Sequence, residues 1–214
     1  MSTRKLSALF ADRADLRLAA ILFVILIIAN VALNPVRFMP SNWGSVLGLA
    51  APRLLAALAV TIPFLAGRGS IDISVGPLMG LINVILVQWL LIDLGVTSPF
   101  IIIPAAIILG LLSGALNGFL AAILRIQPIV ATLGTYLIYS GLALTILPSP
   151  AGSIPPWMTM LSGSLSFAPV GAAMIIWLIV KRLPYYELLM ATGSDDRAAF
   201  TAGINVPMVR FWAY

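Results

Sequence analysis

Long apolar runs alternate with short stretches rich in glycine, proline and charge along this chain. A helix needs about 20 consecutive apolar residues to cross the hydrocarbon core of a bilayer. Unbroken runs favour such helices over the strands of a membrane barrel, in which polar and apolar positions alternate. The runs predict an all-α polytopic helix bundle with six spans and the start of a seventh near Met208, the six covering residues 18–33, 46–66, 71–92, 100–124, 129–147 and 168–180.

The sixth predicted span is short and follows an unusual stretch, residues 154–161, in which Pro155 and Pro156 stand together. We expect that stretch to lie along the membrane interface or to re-enter the membrane. The first run is too long for a cleavable signal peptide, and no small-residue cleavage site follows it. Residues 1–214 are therefore expected to form a single transmembrane domain.

Composition strengthens the membrane assignment and removes most catalytic chemistry. Hydrophobic residues make up 61% of the chain, charged residues 9%, and the mean hydropathy is +1.10. Soluble domains carry about 25% charged residues, so much of this exterior has to face lipid. The sequence has no cysteine and no histidine, which excludes disulfides, thiolate metal sites and histidine acid–base catalysis. It also has no catalytic triad and no phosphate-binding loop, so we expect no enzyme activity, metal or cofactor, and ATP-driven transport would need a separate ATPase subunit.

The positive charge indicates an orientation rather than a nucleic-acid partner. The net charge is +5, but nucleic-acid binders gather basic residues into a patch on a water-facing element. Here the basic residues fall between apolar runs, and the cytoplasmic loops of membrane proteins are rich in lysine and arginine. A cytoplasmic N-terminus puts Arg37 and Arg53 toward the outside and all the others inside, namely Arg4, Lys5, Arg13, Arg17, Arg68, Arg125, Lys181, Arg182, Arg197 and Arg210.

Polar residues inside the predicted membrane are the main clue to function, because ionisable groups are costly in lipid and tend to mark pathways. Asp72 lies in a segment containing glycine and proline, residues 67–77, which predicts a break between helices. It either lines a polar path or braces the break with Arg68 as partner; otherwise it is a helix-end residue satisfied by water or backbone N–H groups. The candidates for a substrate path are Asp72, Ser74, Asn83, Gln88, Asn117 and Thr132; these and Thr135 could equally hydrogen-bond between helices.

Glycines recur in two places with different consequences. Gly110, Gly114 and Gly118 occupy every fourth position and present a smooth stripe that another helix can approach closely. Gly69 and Gly76 flank the aspartate of the predicted break, where glycine permits backbone conformations closed to other residues. We predict structural roles for Gly69, Gly76 and Gly118.

Residues 181–207 are the one internal stretch with dense charge, and they predict an ordered cytoplasmic loop. Within it, the apolar residues Ala198, Ala199 and Phe200 follow three charged residues and precede Gly203. This pattern is typical of a short amphipathic helix with a glycine stop.

Three blocks between residues 67 and 205 follow one another in a recognisable order. Residues 69–76, Gly-Ser-Ile-Asp-Ile-Ser-Val-Gly, are similar to a Gly-Gly-Ile-Asp-Leu-Ser-Val-Gly motif. Asn117-Gly118, with residues 124–134 and 140–143, resembles an Asn-Gly followed by Ile-Pro-x-Phe-Ile-x-Thr-Leu-Gly. Residues 193–205 resemble the cytoplasmic loop Gly-x-Asn-x-x-Ala-Ala-x-x-x-Gly-Ile. All three motifs belong to the permease (transmembrane) subunits of bacterial ABC importers for monosaccharides, the ribose/xylose/galactose-type family, which this sequence therefore resembles.

The resemblance implies a subunit of an ATP-driven importer that passes a monosaccharide or related polyol across the inner (plasma) membrane. It implies three protein partners: an ABC ATPase subunit, a periplasmic sugar-binding protein, and a second permease subunit in a homo- or heterodimer. The ATPase-docking loop would lie within residues 181–207 and use Asp195, Asp196, Ala198, Ala199, Gly203 and Ile204. Family members continue with several more helices, so the resemblance also implies that this chain is an N-terminal portion.

The sequence departs from the family pattern at Ser70 and Pro77 in the break, and at Asp195 and Arg197 in the loop. We therefore expect the break and the docking loop to differ in detail from those of the family.

Other transporter classes fit less well. An ABC permease for another small solute, such as a branched-chain amino acid, a nucleoside or a signalling furanose, would share the loop, but the Ile-Asp-Ile-Ser-Val-Gly block argues against an amino-acid permease. An ion-coupled secondary transporter needs several intramembrane carboxylates, and the candidates are only Asp72 and Asp93. A membrane-embedded enzyme would need the histidines, cysteines or paired carboxylates that the sequence lacks.

Overall fold

The structure, a computed structural model, describes residues 14–67 and 69–214, with side chains from residue 17 onward. These residues form helices and no strand, which confirms the predicted all-α class. Short 3-10 helices, Pro35–Phe38 and Pro40–Asn42, precede the second α-helix. The α-helices are α1 (Ala14–Leu33), α2 (Trp43–Leu65), α3 (Val75–Ile85), α4 (Pro99–Gly118), α5 (Pro128–Ile146), α6 (Pro156–Ser162), α7 (Phe167–Val180), α8 (Pro184–Ser194), α9 (Asp196–Thr201) and α10 (Val206–Phe211).

Four helical stretches are long and apolar enough to cross a membrane: Pro40–Leu65, Val75–Asp93, Pro99–Ile123 and Pro128–Ile146. The helices α6 and α7 meet at an angle of 67° and make a fifth span if they are counted together. The apolar stretch Arg17–Leu33 is shorter than the other four. The chain is therefore a multi-pass membrane protein with four or five spans among the described residues, and the prediction of six complete spans is not confirmed.

Proline and π-helical turns set the ends of the spans. Pro99, Pro128, Pro156 and Pro184 each occupy the first position of a helix, where a missing N–H costs nothing and a fixed φ favours the helical turn. The spans that contain α3 and α4 end in π-helical turns, Leu86–Asp93 and Phe119–Ile123. These turns widen the helix and leave its last carbonyls to accept from the loop that follows.

The bundle is apolar outside and polar in part of its interior. Large hydrophobic side chains along the spans are exposed, as expected where lipid is the solvent. The buried polar and charged side chains are instead small or medium-sized: Ser70, Asp72, Ser74, Ser113, Asn117, Thr132, Thr135, Ser166 and Thr192. Small polar residues between helices permit close approach and interhelical hydrogen bonds, so this interior is held by polar contacts as well as by packing.

The bent pair α6–α7 is fixed to α2 at its corner. The Ser166 hydroxyl donates to the Gly44 carbonyl oxygen at 2.7 Å. Gly48 faces the Ser162 carbonyl so closely that any side chain there would overlap it. Most of residues 154–161 therefore belong to a short helix packed on α2, and their position along the interface or as a re-entrant stretch stays a prediction.

The predicted glycine stripe of α4 is occupied over part of its length. A methyl group on Gly118 would lie 2.7 Å from the Phe211 carbonyl oxygen, and one on Gly114 would overlap the carbonyl of Tyr214. Nothing lies within 4 Å of the corresponding position on Gly110 or on Gly76. The short helix α10, at the predicted start of a seventh span, thus packs against the second half of the stripe.

Candidate functional site

The chain between α2 and α3 is irregular and enclosed by other parts of the protein. Gly67 and Gly69 adopt left-handed backbone conformations, with φ of 75° and 65°. Ser70 and Ser74 are fully or almost fully buried. Irregular backbone at membrane depth requires protein or a polar cavity around it, and this segment meets that condition. The predicted break is confirmed, and we call residues 66–74 the break segment.

Asp72 is the centre of a buried hydrogen-bond network. Its Oδ1 accepts from the Ser74 backbone N–H at 2.8 Å and from the Ser74 hydroxyl at 2.7 Å. The Asn117 side-chain amide donates to the Ser74 hydroxyl at 2.8 Å and, over 3.4 Å, to Asp72 Oδ2. An aspartate that accepts from the backbone two residues ahead closes a local turn, and this turn starts α3. Asp72 therefore braces the break segment from within and ties it to α4.

Two threonines of α5 complete the network. The Thr135 hydroxyl donates to Asn117 Oδ1 at 2.9 Å. Thr132 donates to the Ile71 carbonyl oxygen at 3.2 Å and accepts from the Ile73 N–H at 3.4 Å. Because a break removes the backbone's own partners, these side-chain contacts satisfy groups that would otherwise be costly to bury.

The structure brings together four of the six predicted path residues, Asp72, Ser74, Asn117 and Thr132. It does not bring in the other two: Asn83 is exposed on α3, and Gln88 donates to Asp93 Oδ1 at 2.9 Å near the far end of the same span. Arg68, the predicted partner of Asp72, lies outside the described residues. The network thus accounts for the packing role of these polar residues, and a role in the path stays a prediction.

A cavity of about 470 Å³ reaches the network from the side of α2. Asp72 is 9% exposed and lines this cavity together with Thr61, Phe64 and Val75. The remaining lining residues are Ala56, Ala57, Val60 and Gly76. The described part of the lining contains one carboxylate and one hydroxyl, which offer hydrogen-bond acceptors beside an apolar surface.

The predicted helix in the loop of residues 181–207 is present as α9. Asp195 caps it, because its carboxylate accepts from the backbone N–H groups of Arg197 at 2.9 Å and Ala198 at 3.0 Å. Gly203 ends it with a φ of 86°, while the Ile204 N–H donates to the Ala199 carbonyl at 3.0 Å. This is the Schellman arrangement, which satisfies the last carbonyls of a helix.

The two faces of α9 differ in exposure. Ala199 is 4% exposed and packs inward, whereas Phe200 is 70% exposed. Ala198 is also exposed. Of the predicted docking residues, Ala199 is therefore buried against the rest of the chain. Phe200, which was not among them, supplies exposed apolar surface.

Arg210 joins this loop to the break segment, a contact that sequence reasoning missed. Its Nε donates to the Ala66 carbonyl oxygen at 3.3 Å, and its terminal nitrogen lies 3.2 Å from Asp196 Oδ2. The sequence marked Arg210 only as an inside cation. An arginine within the predicted start of a span was the signal that could have found it, since such residues usually have a specific partner.

An apolar cluster supports the same junction, formed by Ala66, Leu189, Val209 and Ala213. The Tyr185 hydroxyl donates to the Val209 carbonyl oxygen at 2.8 Å and so connects α8 to α10. Burial disfavours the charged phenolate and raises the pKa of Tyr185 from 10.0 to about 12.

Known proteins that are similar to this chain are permeases of transport systems. Residues 42–214 match the family described as the branched-chain amino acid transport system / permease component. The galactofuranose transporter permease of Escherichia coli K12 is 32% identical over 79% of this chain and 50% of its own length. The autoinducer 2 import system permease of Escherichia coli SMS-3-5 is 33% identical over 73% of this chain and 44% of its own length.

A third relative extends the match to almost all of the chain. It is a probable ABC transporter permease of Sinorhizobium fredii, 26% identical over 95% of this chain and 62% of its own length. The chain spans about half the length of the curated relatives it matches. No solved structure matches it.

Proposed function

Because the chain belongs to the permease family named after branched-chain amino acid transport systems, we propose that it is a transmembrane subunit of an ATP-driven importer. The members of this family are transport components rather than enzymes. The observation that carries the proposal is the bridge made by Arg210, which contacts the docking loop at Asp196 and the break segment at Ala66. A rigid link between these elements would let movement of a docked ATPase reach the polar interior of the bundle.

The docking surface is the exposed side of α9, with Phe200 at its centre. A short helix with an apolar residue exposed can seat in a groove of a partner protein. The inward side of the same helix is fixed, since Ala199 is buried and both helix ends are capped. A partner that moves Phe200 would therefore move the helix as one body rather than bend it.

We propose a monosaccharide or related polyol as the solute. The names of two relatives refer to galactofuranose and autoinducer 2, and the family name refers to branched-chain amino acids. An amino acid at neutral pH carries a carboxylate, which needs a cation or several N–H donors on burial. Among its described lining residues, the cavity beside Asp72 has no basic side chain. Hydroxyl groups, by contrast, can donate to Asp72 and exchange hydrogen bonds with Thr61.

The orientation and partners follow from the same proposal. The end of the bundle that carries α9 holds Arg197 in that helix and Arg125, Lys181 and Arg182 in turns between helices, which supports a cytoplasmic position for that end. The N-terminus would then be cytoplasmic and the protein would lie in the inner membrane. A periplasmic binding protein would deliver the solute, and a second permease subunit would complete the path.

Docking is tested by recovering the cognate ATPase on tagged protein purified from membranes. We expect Phe200→Ser to reduce the recovered ATPase strongly compared with the unchanged chain. Phe100→Ser is the matched control, because Phe100 is 88% exposed and lies at the start of α4, away from the loop. Equal recovery with both variants would contradict docking through α9.

The solute class is tested by uptake in cells that also supply the ATPase and the binding protein. We expect accumulation of a labelled monosaccharide and no accumulation of labelled leucine. Uptake of leucine alone would favour the amino-acid alternative, and uptake that persists after ATP depletion would contradict an ATP-driven importer.

A further inference from the structure

A second cavity lies at the end of the bundle that carries α9 and is separate from the cavity beside Asp72. Its volume is about 540 Å³, and its walls come from the turn between α4 and α5, from α9 and from α10. Its described lining includes four charged residues: Arg125, Asp196, Arg197 and Arg210. The apolar part of the lining includes Ile126, Phe200, Val206 and Pro207.

The charged groups around this cavity do not balance. Among the residues that the structure describes, the lining holds three arginines and one aspartate, which amounts to a formal charge of +2. Asp196 is engaged with Arg210 at 3.2 Å. Neither Arg125 nor Arg197 has a side-chain ion pair or hydrogen bond with any residue that the structure describes. Two guanidinium groups are therefore available to a bound anion.

The backbone holds Arg125 in an unusual conformation. Its φ is 57°, and it is the one non-glycine residue with a positive φ in the described part of the chain. The flanking residues are fixed, since the Leu124 N–H donates to Phe119 at 2.9 Å and the Ile126 N–H donates to Leu120 at 3.0 Å. Glycine adopts this left-handed backbone conformation more readily than arginine does. An arginine held there indicates a functional constraint on its side chain.

The cavity also lies at the edge of the membrane-spanning region. One span ends at Ile123 and the next begins at Pro128, so Arg125 occupies the turn between them. Arginine forms bidentate hydrogen bonds with phosphate oxygens, and basic pockets between transmembrane helices bind phospholipid head groups. Apolar walls beside the arginines suit the glycerol and first methylene groups of a lipid.

We propose that this cavity binds a phosphate-bearing anion through Arg125 and Arg197, either the head group of an anionic phospholipid or a free phosphate compound. The two sources share the same chemistry at the guanidinium groups and differ in whether acyl chains are needed. The cavity shares Phe200, Asp196 and Arg210 with the proposed docking surface and its link to the break segment. Binding of an anion by the chain alone can nevertheless be tested without the partner proteins.

The test is a thermal unfolding titration of the purified chain in mixed micelles, followed by tryptophan fluorescence. Phosphatidylglycerol is added to phosphatidylcholine micelles in one series, and inorganic phosphate is added at constant ionic strength in another. We expect the unfolding temperature to rise with phosphatidylglycerol. The double variant Arg125→Gln with Arg197→Gln should need about tenfold more phosphatidylglycerol for half of the effect, since it loses charge-assisted hydrogen bonds.

Lys181→Gln with Arg182→Gln is the matched control, because it removes two exposed positive charges at the same end of the bundle without touching the cavity lining. We expect the control to shift the titration far less. If the glutamine double variant does not fold, Arg125→Lys with Arg197→Lys keeps the charge but loses the bidentate guanidinium geometry. Native mass spectrometry should then count less phosphatidylglycerol retained on it than on the unchanged chain, and equal retention would overturn the proposal.

The results separate the sources and can overturn the proposal. A response to phosphatidylglycerol alone supports a lipid site, and a response to inorganic phosphate as well supports a soluble phosphate ligand. No stabilisation of the unchanged chain by either anion would overturn the site. Equal shifts in the two double variants would overturn it too, because the effect would then be general surface charge.

Discussion

Gly67 and Gly193 touch through their backbones, although one belongs to the break segment and the other to α8. A methyl group on Gly67 would lie 2.8 Å from the Gly193 carbonyl oxygen, and one on Gly193 would overlap the carbonyl of Leu65. Gly67 also has a φ of 75°, which other residues adopt only with strain. No side chain fits between the two segments, so α8 is pressed directly against the end of α2.

Replacing Gly193 with alanine should therefore force these segments apart. We expect a loss of about 1–3 kcal/mol in the free energy of unfolding, typical of overpacking at a close contact. The obstacle is a backbone carbonyl, which cannot turn aside as a flexible side chain can. Thermal unfolding in detergent micelles measures the change.

The control for this substitution is Gly141→Ala in α5, where nothing lies within 4 Å of an added methyl group. We expect it to leave the unfolding temperature unchanged or to raise it slightly, since alanine favours a helix over glycine. Similar destabilisation by both alanines would show that the contact with Leu65 is not rigid.

The buried network makes a separate prediction at Asn117. Leucine has a similar size but cannot donate to Asp72 and Ser74 or accept from Thr135. Buried polar groups left without partners cost about 1–3 kcal/mol each, so Asn117→Leu should destabilise the protein by at least that amount. Asn83→Leu is the comparison, because Asn83 is exposed on α3 and should tolerate an apolar side chain. Equal unfolding temperatures for the two variants would contradict the bracing role of Asn117.

The contrast between these two asparagines shows how far sequence reasoning reaches. Asn83 and Asn117 are the same residue type within predicted spans, and both were candidates for the path. Only Asn117 meets the break segment, because its position on α4 faces residues about 45 positions earlier in the chain. Periodicity and composition identify a span, but which side of a uniformly apolar helix packs inward depends on long-range contacts.

Local signals were more informative in the docking loop. The helix, its cap at Asp195 and its stop at Gly203 all depend on residues within a few positions of one another. Which side of this helix faces the rest of the protein could not be predicted in the same way, and Ala199 is buried in the structure. The bridge of Arg210 to Ala66 spans 144 positions, and no local pattern encodes such a partner.

Arg210 itself gives a prediction that distinguishes coupling from docking. Arg210→Gln removes the contact with Asp196 and weakens the one with Ala66, while Phe200 stays exposed. If the proposed importer assembles as described, the variant should still recover the ATPase but lose most solute uptake. Arg210→Lys keeps the positive charge but loses the planar guanidinium that contacts both Asp196 and Ala66, so it should retain part of the uptake. Loss of ATPase recovery in the glutamine variant would instead assign Arg210 a role in shaping the docking surface.

Tyr185 provides a test of the same junction that needs no partner. Its pKa of about 12 in the folded protein exceeds the ordinary value of 10.0, so its contribution to stability is complete below pH 10 and is lost as the pH rises toward 12. In that window the unfolded chain releases the phenolic proton while the folded protein retains it. Between pH 9 and pH 11 we expect the chain to lose about 1 kcal/mol more stability than Tyr185→Phe, which cannot ionise.

At neutral pH the unchanged chain should be the more stable of the two proteins. Tyr185→Phe removes the hydrogen bond to the Val209 carbonyl, at a cost of about 1 kcal/mol, so the variant should start less stable. The difference between the two should then shrink as the pH rises, because ionisation penalises only the protein that retains the phenol. Parallel pH profiles for the two proteins would mean that Tyr185 is not buried at the junction of α8 and α10, and the connection between these helices would have to depend on the apolar cluster alone.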